Sequence, residues 1–457
     1  MMDFPQDFTD SLRRWRDDGP LLEEALQAKA PVSIRINPAK MTSLPRHERV
    51  GWCSTGYCLP ERPAFTFDPL FHAGAYYVQE AASMFLEQAV GPYLASPAVC
   101  LDLCAAPGGK STHLLSLLPP RSLLVSNEVI RSRTTVLAEN MLKWGSPDVA
   151  VTNSDPAELG RLAHGFDLLV ADLPCSGEGM FRKDPASRSQ WSAANVTLCA
   201  ARQRRILHDV WPALRPGGIC IYCTCTFNRE ENEDNIRYLA GHLPAEVVPV
   251  GVEEDWRITC SADDRYPSYR FFPHLTKGEG FFLAVLRKPD GPYRPFSAQT
   301  GTGRLPALRH VPCSEWLSDS GACRFTAEAS AVCAIPEIHA ERLSSLAGRL
   351  RIVTAGIPVG EWRGKDCRPA PALALSTAFR RDAFPTVELD RQEAVRYLQK
   401  EALTLPPDTP KGYVTVTFRG LPLGFVKHIG PRANNLYPHE WRIRQKEWRM
   451  NSCPLTV

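Results

Sequence analysis

The rhythm of hydrophobic and polar positions changes three times along this chain. Residues 8–15 place apolar side chains at helical spacing and open an N-terminal unit that extends to about residue 95. From residue 99 the pattern becomes short apolar runs separated by helical stretches, at 99–103, 123–126, 149–152, 166–171 and 218–222. Continuous apolar runs alternating with helices are what a parallel sheet covered on both faces requires. Two later runs, 247–250 and 281–286, extend the sheet, and Pro249 confines the first of them to an edge. Pro289-Asp290-Gly291-Pro292 is a breaker cluster. A Pro- and Gly-punctuated stretch follows to about residue 350, and then hairpin-like alternation at 413–418 and 423–429. The expected division is an N-terminal extension at 1–95, an α/β domain at 96–290, a linking region at 291–350 and a small β-rich domain at 351–457.

Composition narrows the class. A chain of 457 residues exceeds one domain, and 44% hydrophobic with 23% charged residues is ordinary for a soluble globular protein. No apolar run reaches membrane-spanning length, and the first residues lack the basic and apolar regions of a secretory signal, so a cytoplasmic location is expected. Fifteen cysteines, an odd number, fit reduced thiols better than a disulfide framework. The net charge of +3 is uninformative until it is mapped: residues 411–450 carry +6 and the remainder −3. Basic residues there (Lys411, Arg419, Lys427, Arg432, Arg442, Arg444, Lys446, Arg449) interleave with Tyr437, Trp441 and Trp448. Such a mixture can track phosphates and stack on bases, or merely solvate a structural domain.

A small-residue turn follows the first apolar run: Asp102-Leu103-Cys104-Ala105-Ala106-Pro107-Gly108-Gly109-Lys110. Small side chains let a ligand approach the backbone, and a following helix N-terminus favours a carboxylate or phosphate. The glycine spacing is neither that of a P-loop nor that of a dinucleotide fingerprint. Glu128 ends the second run, Asp155 follows the third and Asp172 follows the fourth. Acids after successive strands lie along one carboxyl edge, where open parallel sheets bind ligands. Acids so placed suit ribose hydroxyls, an adenine amine and a cationic sulfonium, which points to S-adenosylmethionine.

Two thiols close apolar runs downstream of that turn, Cys175 in Asp172-Leu173-Pro174-Cys175 and Cys225 in Thr224-Cys225-Thr226. Carbon 5 of cytosine becomes nucleophilic only after a thiolate adds at carbon 6, and a base must then remove the carbon 5 proton so that the enzyme is released. One thiol for each task fits that chemistry, with Lys110 and Asp172 placed to stabilise charge on the ring. Cys100 and Cys220 read as small buried hydrophobes. Cys220, Cys223 and Cys225 find no second ligand pair at zinc spacing, so no metal site is expected.

Several segments together carry a family likeness: Ser33-Ile34-Arg35-Ile36-Asn37, Tyr76-Tyr77-Val78-Gln79-Glu80, the turn at 102–110, the run Gly177-Glu178-Gly179-Met180-Phe181-Arg182-Lys183-Asp184, the stretch 222–226, Gly278-Glu279-Gly280-Phe281-Phe282, and Asn434-Asn435-Leu436-Tyr437-Pro438. The chain resembles the Nol/Nop/Sun family of RNA cytosine-5 methyltransferases, most closely its bacterial ribosomal RNA small-subunit methyltransferase F type. The resemblance implies a Rossmann-like S-adenosylmethionine-dependent core with an N-terminal α+β extension and a PUA-like C-terminal domain, both outer parts binding RNA. It implies that Cys225 is the nucleophile and that Cys175 promotes release. DNA cytosine-5 methyltransferases use the Pro-Cys thiol as nucleophile and lack the second, so the pair separates the two classes. It places the cofactor against Cys104, Ala105, Ala106, Pro107, Gly108, Gly109, Lys110, Glu128, Asp155 and Asp172. The implied product is 5-methylcytosine and the implied partner ribosomal RNA or the small ribosomal subunit, without DNA or membrane, for a monomeric protein. A transfer-RNA methyltransferase and an idle RNA-binding assembly factor are the alternatives, and retention of both thiols speaks against the second. Cys223 stands where the motif commonly has serine, and strand alternation would turn it to the same side as Cys225.

Overall fold

A computed structural model describes residues 4–41, 46–184, 186–293, 307–308, 311–328, 330–363 and 366–445. The five apolar runs form parallel strands β1 (Val99–Asp102), β2 (Leu123–Asn127), β3 (Val149–Thr152), β4 (Phe166–Asp172) and β5 (Leu214–Thr224), and β6 (Phe281–Arg287) joins antiparallel beside β5. Their order across the sheet is β6-β5-β4-β1-β2-β3. Chain direction around the sheet reverses between β1 and β4, which opens a crevice at the carboxyl ends of these two strands. Alternation assigns each side chain to a layer. Cys100, Leu124, Val151, Val170, Ile221 and Leu283 pack on one face, and Leu101, Val125, Ala150, Leu169, Cys220 and Ala284 on the other. Both layers are apolar, as a covered parallel sheet demands. Glu246–Val248 pairs with one end of β6 and stops before Pro249.

The amphipathic start is the helix Gln6–Trp15, which buries Phe8 and Leu12. Phe8 meets Phe181 edge-on at 5.0 Å and Trp191 at 5.6 Å, so this helix braces the segment after Cys175. Behind it a four-stranded antiparallel sheet includes Val32–Ile36, Gly56–Leu59 and Tyr76–Val78.

The region beyond residue 290 departs from the expected division. Residues 291–350, expected to link, contribute strands Cys323–Glu328 and Ala331–Pro336 and the helix Glu337–Ala347. The expected boundary at residue 351 falls at the edge of the central sheet, because Ile352–Ala355 pairs antiparallel with β3. An edge strand supplied from two hundred residues downstream covers an otherwise open sheet edge, a need that local pattern does not reveal. The hairpin appears as Gly412–Phe418 and Leu421–His428, turned by Arg419 (φ 51°) and Gly420 (φ 73°), the two positive-φ positions of a tight two-residue hairpin turn. Its apolar face is continuous with the N-terminal sheet: Ile34, Ile36, Tyr57 and Tyr76 share one core with Leu398, Val414, Val416, Leu423 and Tyr437. The first and last parts of the chain therefore fold against each other. Among the described residues no helix is long and apolar enough to cross a membrane.

Candidate active site

The small-residue turn leaves β1 and enters the helix α1 (Gly109–Leu117). Gly108 is required there: its φ is 117°, and a Cβ would lie 2.8 Å from Met141 Cε. The N-terminal unit pins this helix through Arg35, which is fully buried and reaches Thr112 Oγ1 at 2.6 Å, Ser116 Oγ at 3.3 Å and Gln79 Oε1 at 2.8 Å. Burial lowers the Arg35 pKa to about 10, so it stays a cation at neutral pH. This tie gives the segment at 33–37 a physical task that the sequence alone left unstated.

Above the turn lies a cavity of about 330 Å³. Asp102, Cys104, Ala105, Ala106, Pro107, Gly109, Lys110, Asp172 and Cys225 line it. Tyr77, Gln79, Glu80, Lys183, Glu279 and Phe281 complete its walls, from segments to which sequence pattern alone assigned no chemistry. Lys110 Nζ donates to Asp172 Oδ2 at 2.7 Å and lies 5.0 Å from the centre of the Phe281 ring. Burial alone would lower the Lys110 pKa, but the Asp172 carboxylate more than offsets it, and the ammonium is held above its ordinary range. Asp102 is fully buried; one oxygen accepts from Ser111 Oγ at 2.6 Å and Oδ1 has no hydrogen-bond partner. Burial pushes its pKa up to about 7.

The two cysteines meet. Cys175 Sγ and Cys225 Sγ are 3.3 Å apart, and of the two Cys225 faces the cavity. The contact with Cys225, and then burial, raise the Cys175 thiol well above its usual range, so Cys175 holds its proton. Gly179 permits the approach of the surrounding loops, since a Cβ there would lie 2.8 Å from the Cys225 carbonyl and 3.0 Å from that of Glu279. Cys223 does not share this exposure. β5 ends at Thr224, so alternation no longer relates 223 to 225, and Cys223 lies fully buried in the core with its pKa raised by burial.

Two acids expected at the cofactor lie outside the cavity lining. Glu128 is buried at the end of β2; Oε1 accepts from the Ile130 amide at 2.9 Å, while Oε2 has no hydrogen-bond partner and lies 3.4 Å from Arg133 Nη1. Asp155 is exposed and caps the helix Pro156–Gly160, accepting from the Ala157 amide at 2.9 Å in a reciprocal capping box with Glu158. A cap is the commoner use of an acid before a helix. Cys53, Glu87 and His113 also converge, with ligand-type atoms within 4.8 Å of one another. Their sequence separation gave no signal. Burial raises the Cys53 pKa to about 12 and lowers that of His113 to about 4, a neutral thiol and imidazole resting on Glu87.

Comparison with known proteins gives this geometry its context. A model described as 16S rRNA methyltransferase RsmB/F matches residues 94–287, one for the N-terminal domain of 16S rRNA methyltransferase RsmF matches 4–81, and one for the methyltransferase RsmF PUA domain matches 384–443. The ribosomal RNA small subunit methyltransferase F of Salmonella paratyphi A is 33% identical over 417 residues, covering 86% of this chain and 84% of that protein. The same-named protein of Klebsiella pneumoniae is 30% identical with the same coverage, and that of Cronobacter sakazakii 29% identical over 95% of this chain and 96% of its own. Among solved structures, a methyltransferase homolog from Pyrococcus horikoshii is 26% identical with a TM-score of 0.53, covering 63% of this chain and 96% of that one. The methyl donor is S-adenosylmethionine, and the residues present fit it: a backbone-accessible turn lines the cavity, and buried carboxylate oxygens of Asp102 and Glu128 have no hydrogen-bond partner. With its catalytic, N-terminal and PUA parts all matched and most of its length shared with these relatives, the chain belongs to the ribosomal RNA small subunit methyltransferase F family.

Proposed function

We propose that this protein methylates carbon 5 of a cytosine in small-subunit ribosomal RNA through a covalent adduct with Cys225, acting as a monomer in the cytoplasm. The observation that carries the reading is the pair of thiols 3.3 Å apart, one facing a cavity walled by the cofactor turn and by Lys110 and Asp172. S-adenosylmethionine supplies an electrophilic methyl group when bound. Cys175, holding its proton, can donate toward the Cys225 sulfur. Cys225 adds to ring carbon 6, and the electron pair of the 5,6 double bond makes carbon 5 the nucleophile. Lys110, fixed as an ammonium by Asp172, stabilises the negative charge that spreads over the ring. Once carbon 5 carries its methyl group, its proton must leave. Cys175, once its own proton has passed to water, takes the proton from carbon 5 as a thiolate, the double bond re-forms, and the carbon–sulfur bond to Cys225 breaks, releasing Cys225 as a thiolate. Asp102 and Glu128 hold the cofactor by charge and by the ribose, and the turn at Cys104–Lys110 lies against it.

The test is bisulfite sequencing of small-subunit ribosomal RNA incubated with the purified protein and S-adenosylmethionine. A newly protected cytosine is expected. Methylation on another base, or on transfer RNA alone, contradicts the reading.

A further inference from the structure

The two loops that carry the cysteines are tied by two buried carboxylates, each belonging to one loop and gripping the other. Glu178 follows Cys175 in the chain and is 1% exposed; its Oε2 accepts from the backbone amides of Phe227 (2.5 Å) and Asn228 (2.9 Å), beyond Cys225. Glu231 lies on the Cys225 loop and is fully buried; it accepts from the backbone amide of Ser176 at 3.0 Å, next to Cys175. Glu231 also accepts from Gln203 Nε2 at 2.8 Å, and the same amide group donates to the Pro174 carbonyl at 3.1 Å. Asn228 Nδ2 joins the two acids, 3.1 Å from Glu178 Oε1 and 2.7 Å from Glu231 Oε1. Neither acid lines the cavity, and their oxygens accept from the amides of the opposite loop. Buried charge is costly unless donors surround it, and here the donors are the backbone of the opposite loop together with the Trp191, Gln203 and Asn228 side chains.

We propose that Glu178 and Glu231 are reciprocal positioning residues that set the two thiols against each other and act on different halves of the reaction. Glu231 holds the segment 174–176 and so aims Cys175 for release. Glu178 holds the segment that follows Cys225 and so aims Cys225 for addition. The division rests on the assignment of Cys225 to addition and Cys175 to release.

Two measurements on the full-length protein test it. In the first, small-subunit ribosomal RNA and S-adenosylmethionine are mixed with enzyme, quenched and run on a denaturing gel that separates free RNA from covalent adduct. Glu231→Gln, which turns an amide toward donors, should raise the adduct fraction about tenfold over wild type, because a displaced catalytic group slows its own step selectively. Glu231→Asp should lie between. Glu178→Gln placed in a Cys175→Ala background should slow adduct formation by about tenfold. A merely structural role lowers turnover while leaving the adduct fraction at the wild-type level, and that result overturns the proposal. No adduct in Cys175→Ala itself would instead discard the roles assigned to the thiols. The second measurement is independent of those roles: the diazene oxidant diamide takes two electrons and two protons from Cys175 and Cys225, giving the disulfide and a hydrazine. The rate of this cross-link, read by mass spectrometry, should fall in Glu231→Gln and Glu231→Asp at unchanged thermal midpoint, and an unaltered rate in both overturns the clamp.

Discussion

The carboxyl edge of the central sheet and the C-terminal hairpin both mix charged residues with aromatic ones, and they arrange them oppositely. At the sheet edge the charges are inside: Lys110 pairs with Asp172, Arg182 with Glu279 at 3.1 Å, and Glu178 and Glu231 accept backbone amides. In the C-terminal domain the aromatics are inside. Tyr437 is 1% exposed and contacts His72 Nδ1 through its hydroxyl at 3.3 Å, and half-buried Trp441 packs against it. Lys411, Lys427 and Arg432 are exposed and gather at one end of the hairpin, while Arg419 sits at the turn. Trp448, Lys446 and Arg449 lie outside the described residues. Tyr437 and Trp441, which the sequence left open to base stacking or to a solvated structural domain, here help seal the two ends of the chain against each other. Charge is buried at the candidate active site and exposed on the candidate RNA-facing surface.

The largest effect should come from the sheet edge. Cys225→Ala should reduce methylation by about 10⁴-fold or more, the scale of losing a covalent nucleophile, with cofactor affinity unchanged by calorimetry. Appreciable turnover would move the nucleophile elsewhere. The C-terminal counterpart is a stability effect: Leu423→Ala should cost about 2–4 kcal/mol in denaturant unfolding, because it empties a shared core. Hydrogen exchange should then show reduced protection in residues 32–36 as well as in the hairpin. Reduced protection in the hairpin alone would mean that the two ends fold independently. Deleting residues from 351 onward is a poor probe of RNA binding for the same reason, since it removes the strand beside β3 and half of that core.

A smaller effect follows from Asp102. Its carboxyl is held protonated up to about pH 7 by burial, and a cationic ligand favours the carboxylate. Cofactor affinity should therefore tighten as pH rises toward 7, about tenfold per unit, and level off above it. Titration calorimetry from pH 5.5 to 8 measures this, and Asp102→Asn should flatten the profile. A wild-type profile already flat would exclude Asp102 from the cofactor's charge. The smallest effect belongs to the exposed basic group. Replacing Lys411, Lys427 and Arg432 with Gln should lower the salt slope of RNA binding by about 2, since each phosphate left without its cation reduces the slope by about 0.7–0.9. Cofactor binding should be unaffected. An unchanged slope would make these charges a solvated face.

How far the sequence reached depended on whether the deciding interaction was local. The five parallel strands were legible because a covered strand needs only its own apolar residues, and the turn at 104–110 because small residues have few other uses there. Cys175 and Cys225 stood out through their strand-end contexts, although their meeting depends on loops fifty residues apart. Asp155 looked like the other edge acids until its place before Pro156 made it a cap. Cys223 and Cys225 could not be told apart without knowing that β5 stops between them. The strand at Ile352–Ala355, the shared core and the Glu178–Glu231 clamp are long-range pairings, and no periodicity in one segment announces a partner in another.

The proposed division of one reaction between two adjacent thiols is read most directly on a denaturing gel of enzyme mixed with small-subunit ribosomal RNA and S-adenosylmethionine. Cys175→Ala should give a slowly migrating, nuclease-sensitive protein–RNA band, because addition and methyl transfer proceed while release stalls. The double variant Cys175→Ala/Cys225→Ala should give none. A band that persists in the double variant would contradict the division, since some residue other than Cys225 would then be bonded to the ring.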